Sequence, residues 1–152
     1  MILTSKESDL LKDMKGAEEL CIQKYSRYAD EAKCSELKAL LTKICDTERE
    51  HLKNINSMIA GNEPSAPSSI SANNEHCVAC GSVYSNPEDK KCDQFILSDM
   101  LSTEKHVSSV YDTGIFEFKS PAARKMFSHI QSEEQQHGEM IYAFMNANSM
   151  YC

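Results

Sequence analysis

Two sets of three residues recur at one fixed offset. Glu18, Glu48 and His51 are followed, each 86 residues later, by Glu104, Glu134 and His137. In both halves a lone Glu precedes a Glu-x-x-His. On a helix, residues three apart lie about 60° apart on one face. Each Glu-x-x-His can therefore turn a carboxylate and an imidazole the same way. With 5 His in 152 residues, a given Glu has a roughly 3% chance of meeting one three places on. Two such pairs at a shared offset, each with its upstream Glu, constrain the chain to a duplicated helical arrangement.

The flanking residues repeat as well. The three-four spacing reads Leu37, Leu41, Ile44, Glu48, His51, Ile55, Met58, and after the offset Ala123, Phe127, Ile130, Glu134, His137, Ile141, Phe144. Around the lone acids it reads Leu11, Met14, Glu18, Cys21, Tyr25, then Leu97, Met100, Glu104, Val107, Tyr111. All six polar residues stand where the pattern otherwise demands an apolar core residue. Turning them outward would expose the flanking Leu, Ile and Phe. Buried ionised carboxylates are costly unless paired or metal-bound, and crowded ones repel and take up protons. Two divalent cations would neutralise the four carboxylates. The six residues are therefore candidate metal ligands, on four helices that form a bundle.

A chain of this length reads as a single domain over 1–152 with a sizeable core. A net charge of −7 without a basic run argues against nucleic acid as a partner. Apolar runs are too short for a membrane span, and the first residues lack a signal-peptide pattern. Seven Cys, an odd number, suit a reducing interior and cytoplasmic synthesis better than a disulfide framework.

Periodicity and punctuation predict an all-α chain with helices over about 5–32, 36–60, 88–118 and 120–148. Thr4 or Ser5 caps the first, Gly61 stops the second, and Ser120-Pro121 opens the fourth. The outer turns are short, so each joins antiparallel neighbours. The middle connection, 61–87, is roughly 27 residues long. Extended, it could reach about 90 Å, more than the ~35–40 Å of such a helix. It can cross the length of the bundle, leaving two antiparallel hairpins joined by one long crossover.

With these residues in place, the chain resembles the ferritin-like superfamily, rubrerythrin and bacterioferritin included. The motifs carrying the likeness are Glu18, Glu48-x-x-His51, Glu104, Glu134-x-x-His137, and a Tyr seven after each lone Glu (Tyr25, Tyr111). The second half also resembles clostridial spore-coat proteins of the coat F type, through Asp99–His106, Tyr111–Ile115, His129–His137 and Tyr142–Tyr151. The first resemblance implies two metal ions per chain, iron before manganese or zinc. Glu48 and Glu134 would bridge them, Glu18 and Glu104 would be terminal ligands, and His51 and His137 would bind one metal each. It also implies oxygen or peroxide as reactants if the centre turns over. The second implies sporulation, deposition in the spore coat and other coat proteins as partners, and does not by itself imply catalysis; the alternative function is a structural coat protein whose metal site is catalytically inert. Two departures weigh against rubrerythrin-type peroxidase activity: Val107 stands where rubrerythrins carry an extra Glu, and no rubredoxin domain follows. No fifth helix is read, which argues against an iron-storage cage and leaves a homodimer open.

Around the ligands, Tyr25 and Tyr111 either hydrogen-bond carboxylates or simply pack the core. A ligating His needs an acceptor for its second ring nitrogen, and Glu133, Asp46 and Asp112 are the candidates. Cys77-x-x-Cys80 in the crossover is either half of a metal site, completed by His76, Cys92 or another chain, or a redox dithiol. Cys21 and Cys45 read as small core residues. Cys34 and Cys152 read as exposed ends open to coat crosslinking. His106 and His129, off the ligand stripe, read as surface histidines.

Overall fold

The computed structural model describes residues 1–67 and 84–151. Cys77, Cys80, His76 and Cys152 lie outside the described residues. Four helices account for most of the described residues: α1 (Ser5–Glu31), α2 (Ser35–Ile59), α3 (Pro87–Glu117) and α4 (Pro121–Ala147). No strand occurs among the described residues. No helix there is long and apolar enough to cross a membrane.

Local chemistry sets the ends. Thr4 caps α1 in a reciprocal capping box with Glu7. Ser120 caps α4, and Pro121 holds its first turn. The same device opens α3, where Asn86 caps and Pro87 takes the first helical position, one residue earlier than the stripe predicts. Gly61 adopts φ 90° just beyond α2, a conformation that favours glycine, and so stops the helix.

α2 lacks a side-chain cap of its own. The carboxylate of Asp93, from α3, accepts the Lys33 N–H at 2.8 Å and the Cys34 N–H at 2.9 Å. Tyr84 covers the same carboxylate, donating at 2.7 Å. This corrects the reading of Cys34 as an exposed end. It is buried beneath that cover, with its thiol 3.0 Å from Glu36 Oε2.

The stripes form one continuous core. Leu11, Met14, Leu37, Leu41, Ile44, Ile55, Leu97, Met100, Phe127, Ile130 and Ile141 are all fully enclosed. Each such side chain contributes about 1.5–3 kcal/mol relative to exposure. α1 packs mainly on α2 and α3 on α4, while α1 and α3 also meet along their length.

Contacts at the two ends fix direction. Lys6 pairs with Glu117 at 2.5 Å, whereas Lys33 meets Asp93, so α1 and α3 are antiparallel. α2 starts at the Asp93 end and leaves at the other, where Glu63 lies 3.3 Å from Ser120. α2 and α3 therefore run parallel, and their connection joins opposite ends of a four-helix bundle.

Candidate metal centre

Each helix delivers one carboxylate to the middle of the bundle: Glu18 from α1, Glu48 from α2, Glu104 from α3 and Glu134 from α4. His51 and His137 follow on α2 and α4. None of the six side chains is more than 3% exposed. Their donor atoms fall into two groups, Glu18, Glu48, His51, Glu134 and Glu48, Glu104, Glu134, His137. Within each group the donors lie within 4.8 Å of one another, close enough to hold a metal ion. Glu48 and Glu134 belong to both groups.

The imidazoles face inward through Nδ1. His51 Nδ1 lies 3.1 Å from Glu48 Oε2, 3.1 Å from Glu134 Oε1 and 3.8 Å from Glu18 Oε2. His137 Nδ1 lies 3.1 Å from Glu48 Oε1 and 3.6 Å from both Glu104 and Glu134. The rings face each other with centroids 5.9 Å apart and 28° between planes.

Among the described residues, seven buried side-chain polar atoms have no hydrogen-bond partner, and six of them are here. They are Glu18 Oε2, Glu48 Oε1, Glu104 Oε2, both Glu134 oxygens and His137 Nδ1. Native interiors leave few such atoms unsatisfied without an ion, a water or a catalytic role. The unpaired atoms are the donors of the two groups, so this set fits cations.

Protons show the same demand for positive charge. Burial, then the Glu48 carboxylate, raises Glu18 well above the usual carboxylate range. Burial, then neighbouring Glu134, pushes Glu104 up to about 9. Burial also acts upward on Glu48 and Glu134, but the imidazoles, with Glu104 in the case of Glu134, hold both below their ordinary value. Burial acts downward on the two histidines, yet the surrounding carboxylates raise both.

The tyrosines cross between halves. Tyr25 of α1 donates to Glu104 of α3, and Tyr111 of α3 donates to Glu18 of α1. Both are fully buried. Burial, then the partner carboxylate, keeps both phenols protonated by raising them well above their ordinary value.

Of the candidate orienting acids, Glu133 Oε2 lies 2.9 Å from His51 Nε2. Asp46 instead pairs with Arg49 on the surface, and Asp112 is exposed. His129 corrects the surface reading: its side chain is 14% exposed and its Nε2 lies 3.4 Å from Glu133 Oε2. It sits one turn before Glu133, so the spacing carried that signal. His106 is exposed.

Cys21 and Cys45 are buried. Burial first, then the four carboxylates, pushes the Cys21 thiol far up, keeping it protonated and weakly nucleophilic. Cys92 is exposed.

The sequence signal missed a second acidic pair, Glu7 and Asp93, which also stand 86 residues apart. Glu7 accepts the Lys119 N–H at 2.9 Å, just as Asp93 accepts that of Lys33. Lys33 and Lys119 share the offset, so the repeat itself could have found both.

Comparisons with curated proteins and with solved structures returned no match. Residues 92–151, most of α3 together with α4, match the Coat F domain family.

Proposed function

We propose that this chain is a coat F type spore coat protein whose ferritin-like bundle holds two divalent metal ions, iron before manganese or zinc. Glu18, Glu48, His51 and Glu134 would hold one. Glu48, Glu104, Glu134 and His137 would hold the other. Glu48 and Glu134 would serve both, Tyr25 and Tyr111 fix Glu104 and Glu18, and Glu133 orients His51. The single observation behind this reading is the set of unpartnered donor atoms, contributed by four helices and closed off from water. The Coat F domain match favours a structural role in the coat, where the metals would tie the helices together.

A redox role is the second reading, favoured by an all-carboxylate and imidazole donor set that suits iron. Iron held there would supply electrons to oxygen or peroxide. The protein's part would be to exclude water and fix the carboxylates.

Metal analysis of the chain purified without oxygen, followed by oxygen and peroxide consumption, tests both. Two metals per chain without turnover support the structural reading, and two irons with turnover support the redox one. A folded bundle that takes up no divalent metal would overturn the proposal.

A further inference from the structure

We propose that the two metal positions are unequal, and that Glu133 makes the His51 position the tighter and first filled. The inference rests on the two-metal reading above and concerns how its halves differ. The inner donors are nearly symmetric: each group has one terminal Glu, one His and the shared pair Glu48 and Glu134. The layer behind them is not. His51 Nε2 meets the Glu133 carboxylate at 2.9 Å, and that carboxylate is braced by His129 at 3.4 Å. An acceptor there holds the proton on Nε2, leaves the Nδ1 lone pair facing the carboxylates, and raises its basicity.

The residue 86 places before Glu133 is Thr47, half-buried on α2. Among the described residues, His137 Nε2 has no hydrogen-bond partner, so its ring lacks this fixing. Glu133 is also a fifth acid beside the four of the cluster, and it lies on the His51 side. At 28% side-chain exposure it connects that side to the surface, beside the groove that His129 lines with Arg124, Ser128 and Ser132. Glu133 is thus a positioning residue: it acts on the metal through His51.

The test is an oxygen-free titration of the full chain with Co2+, followed by visible absorption and checked by circular dichroism for intact helices. The wild type should fill in two resolved steps at least about 10-fold apart, since a carboxylate behind a ligating His is typically worth about 10–100-fold in metal affinity. Glu133→Gln should weaken the first step by that factor and merge the two. Thr47→Glu should tighten the second step. His137→Ala should keep the tight step, whereas His51→Ala should lose it. Two equal steps in the wild type, or a separation that Glu133→Gln leaves intact, would overturn the inference while leaving the two-metal reading in place. Absence of any Co2+ uptake by a helical chain would overturn both.

Discussion

The hairpin α1–α2 and the hairpin α3–α4 are built to one plan but pack it with different side chains. Each brings a lone Glu and a Glu-x-x-His to the centre, and each donates one tyrosine to the other's lone Glu. Each also sends one acid to the other's turn, Glu7 to Lys119 and Asp93 to Lys33. The agreement covers what both halves must do: bury an apolar stripe, close a turn and present donors. The differences lie in the packing, as at Leu37 and Ala123, Leu41 and Phe127, and Met58 and Phe144, and in the residues beside the donors. In the repeat Cys21 corresponds to Val107, Thr47 to Glu133, and Tyr28 to Gly114. Gly114 has a packing reason, because a Cβ there would meet Met14 Cε at 2.3 Å and Phe127 at 3.2 Å. Tyr28 instead donates to Asp99 at 2.8 Å on the bundle's flank. Symmetry is kept at the donors, the tyrosines and the turn acids, and relaxed in the packing around them.

The largest effects should come from breaking the part that the halves share. Glu48→Ala or Glu134→Ala removes a donor from both groups, so metal content should fall from two per chain to none. Glu18→Ala should spare the His137 group and Glu104→Ala the His51 group, each leaving one metal. Elemental analysis of the four variants reads the difference. Loss of both metals on removing either terminal Glu would mean that the halves do not load separately.

Much of this plan was legible in the chain. The three-four stripes gave the helices, because apolar residues at that spacing have only one way to be buried together. The same stripes carried the six polar residues inward. Other features depend on which helix lies opposite, and spacing along one helix does not tell that. Glu133, Asp46 and Asp112 looked alike as partners for an imidazole until the α2–α4 pairing brought Glu133 to His51. Cys34 looked exposed because a turn residue usually is, and only Asp93 and Tyr84 folding over it bury it. His129 is the opposite case: it lies beside the stripe, and its i, i+4 spacing to Glu133 is legible along α4 alone. Asn86-Pro87 opens α3 by the same cap-and-proline rule as Ser120-Pro121 opens α4.

The end contacts offer the next test. Asp93→Ala removes the acceptor of two N–H groups and one phenol inside the bundle, and should cost about 3 kcal/mol in urea unfolding. The central tyrosines should cost less and should match. Tyr25→Phe and Tyr111→Phe each leave one buried carboxylate oxygen without its donor, for about 1–2 kcal/mol apiece. Clearly unequal values would show that the symmetry of the hydrogen bonds does not extend to their energies.

Glu7 gives the smallest effect and the one with a pH signature. The Lys119 and Thr4 backbone N–H groups hold its carboxyl below the usual value against a weaker upward push from burial. Protonation is therefore harder in the folded chain than in the unfolded one. The sign follows from linkage: the stabilisation is fully present above the unfolded carboxylate value, near 4.3 as a rough figure, and is lost as pH falls through the lower folded value. Glu7→Gln leaves one oxygen where two now accept, one from Thr4 and one from Lys119. It should destabilise the chain by about 1 kcal/mol at neutral pH. The gap between variant and wild type should close in acid, measured by urea unfolding at stepped pH. A gap that stays constant down to the acid limit would mean that the α1 cap and the link to the α3–α4 turn depend on the shape of the side chain and not on its charge.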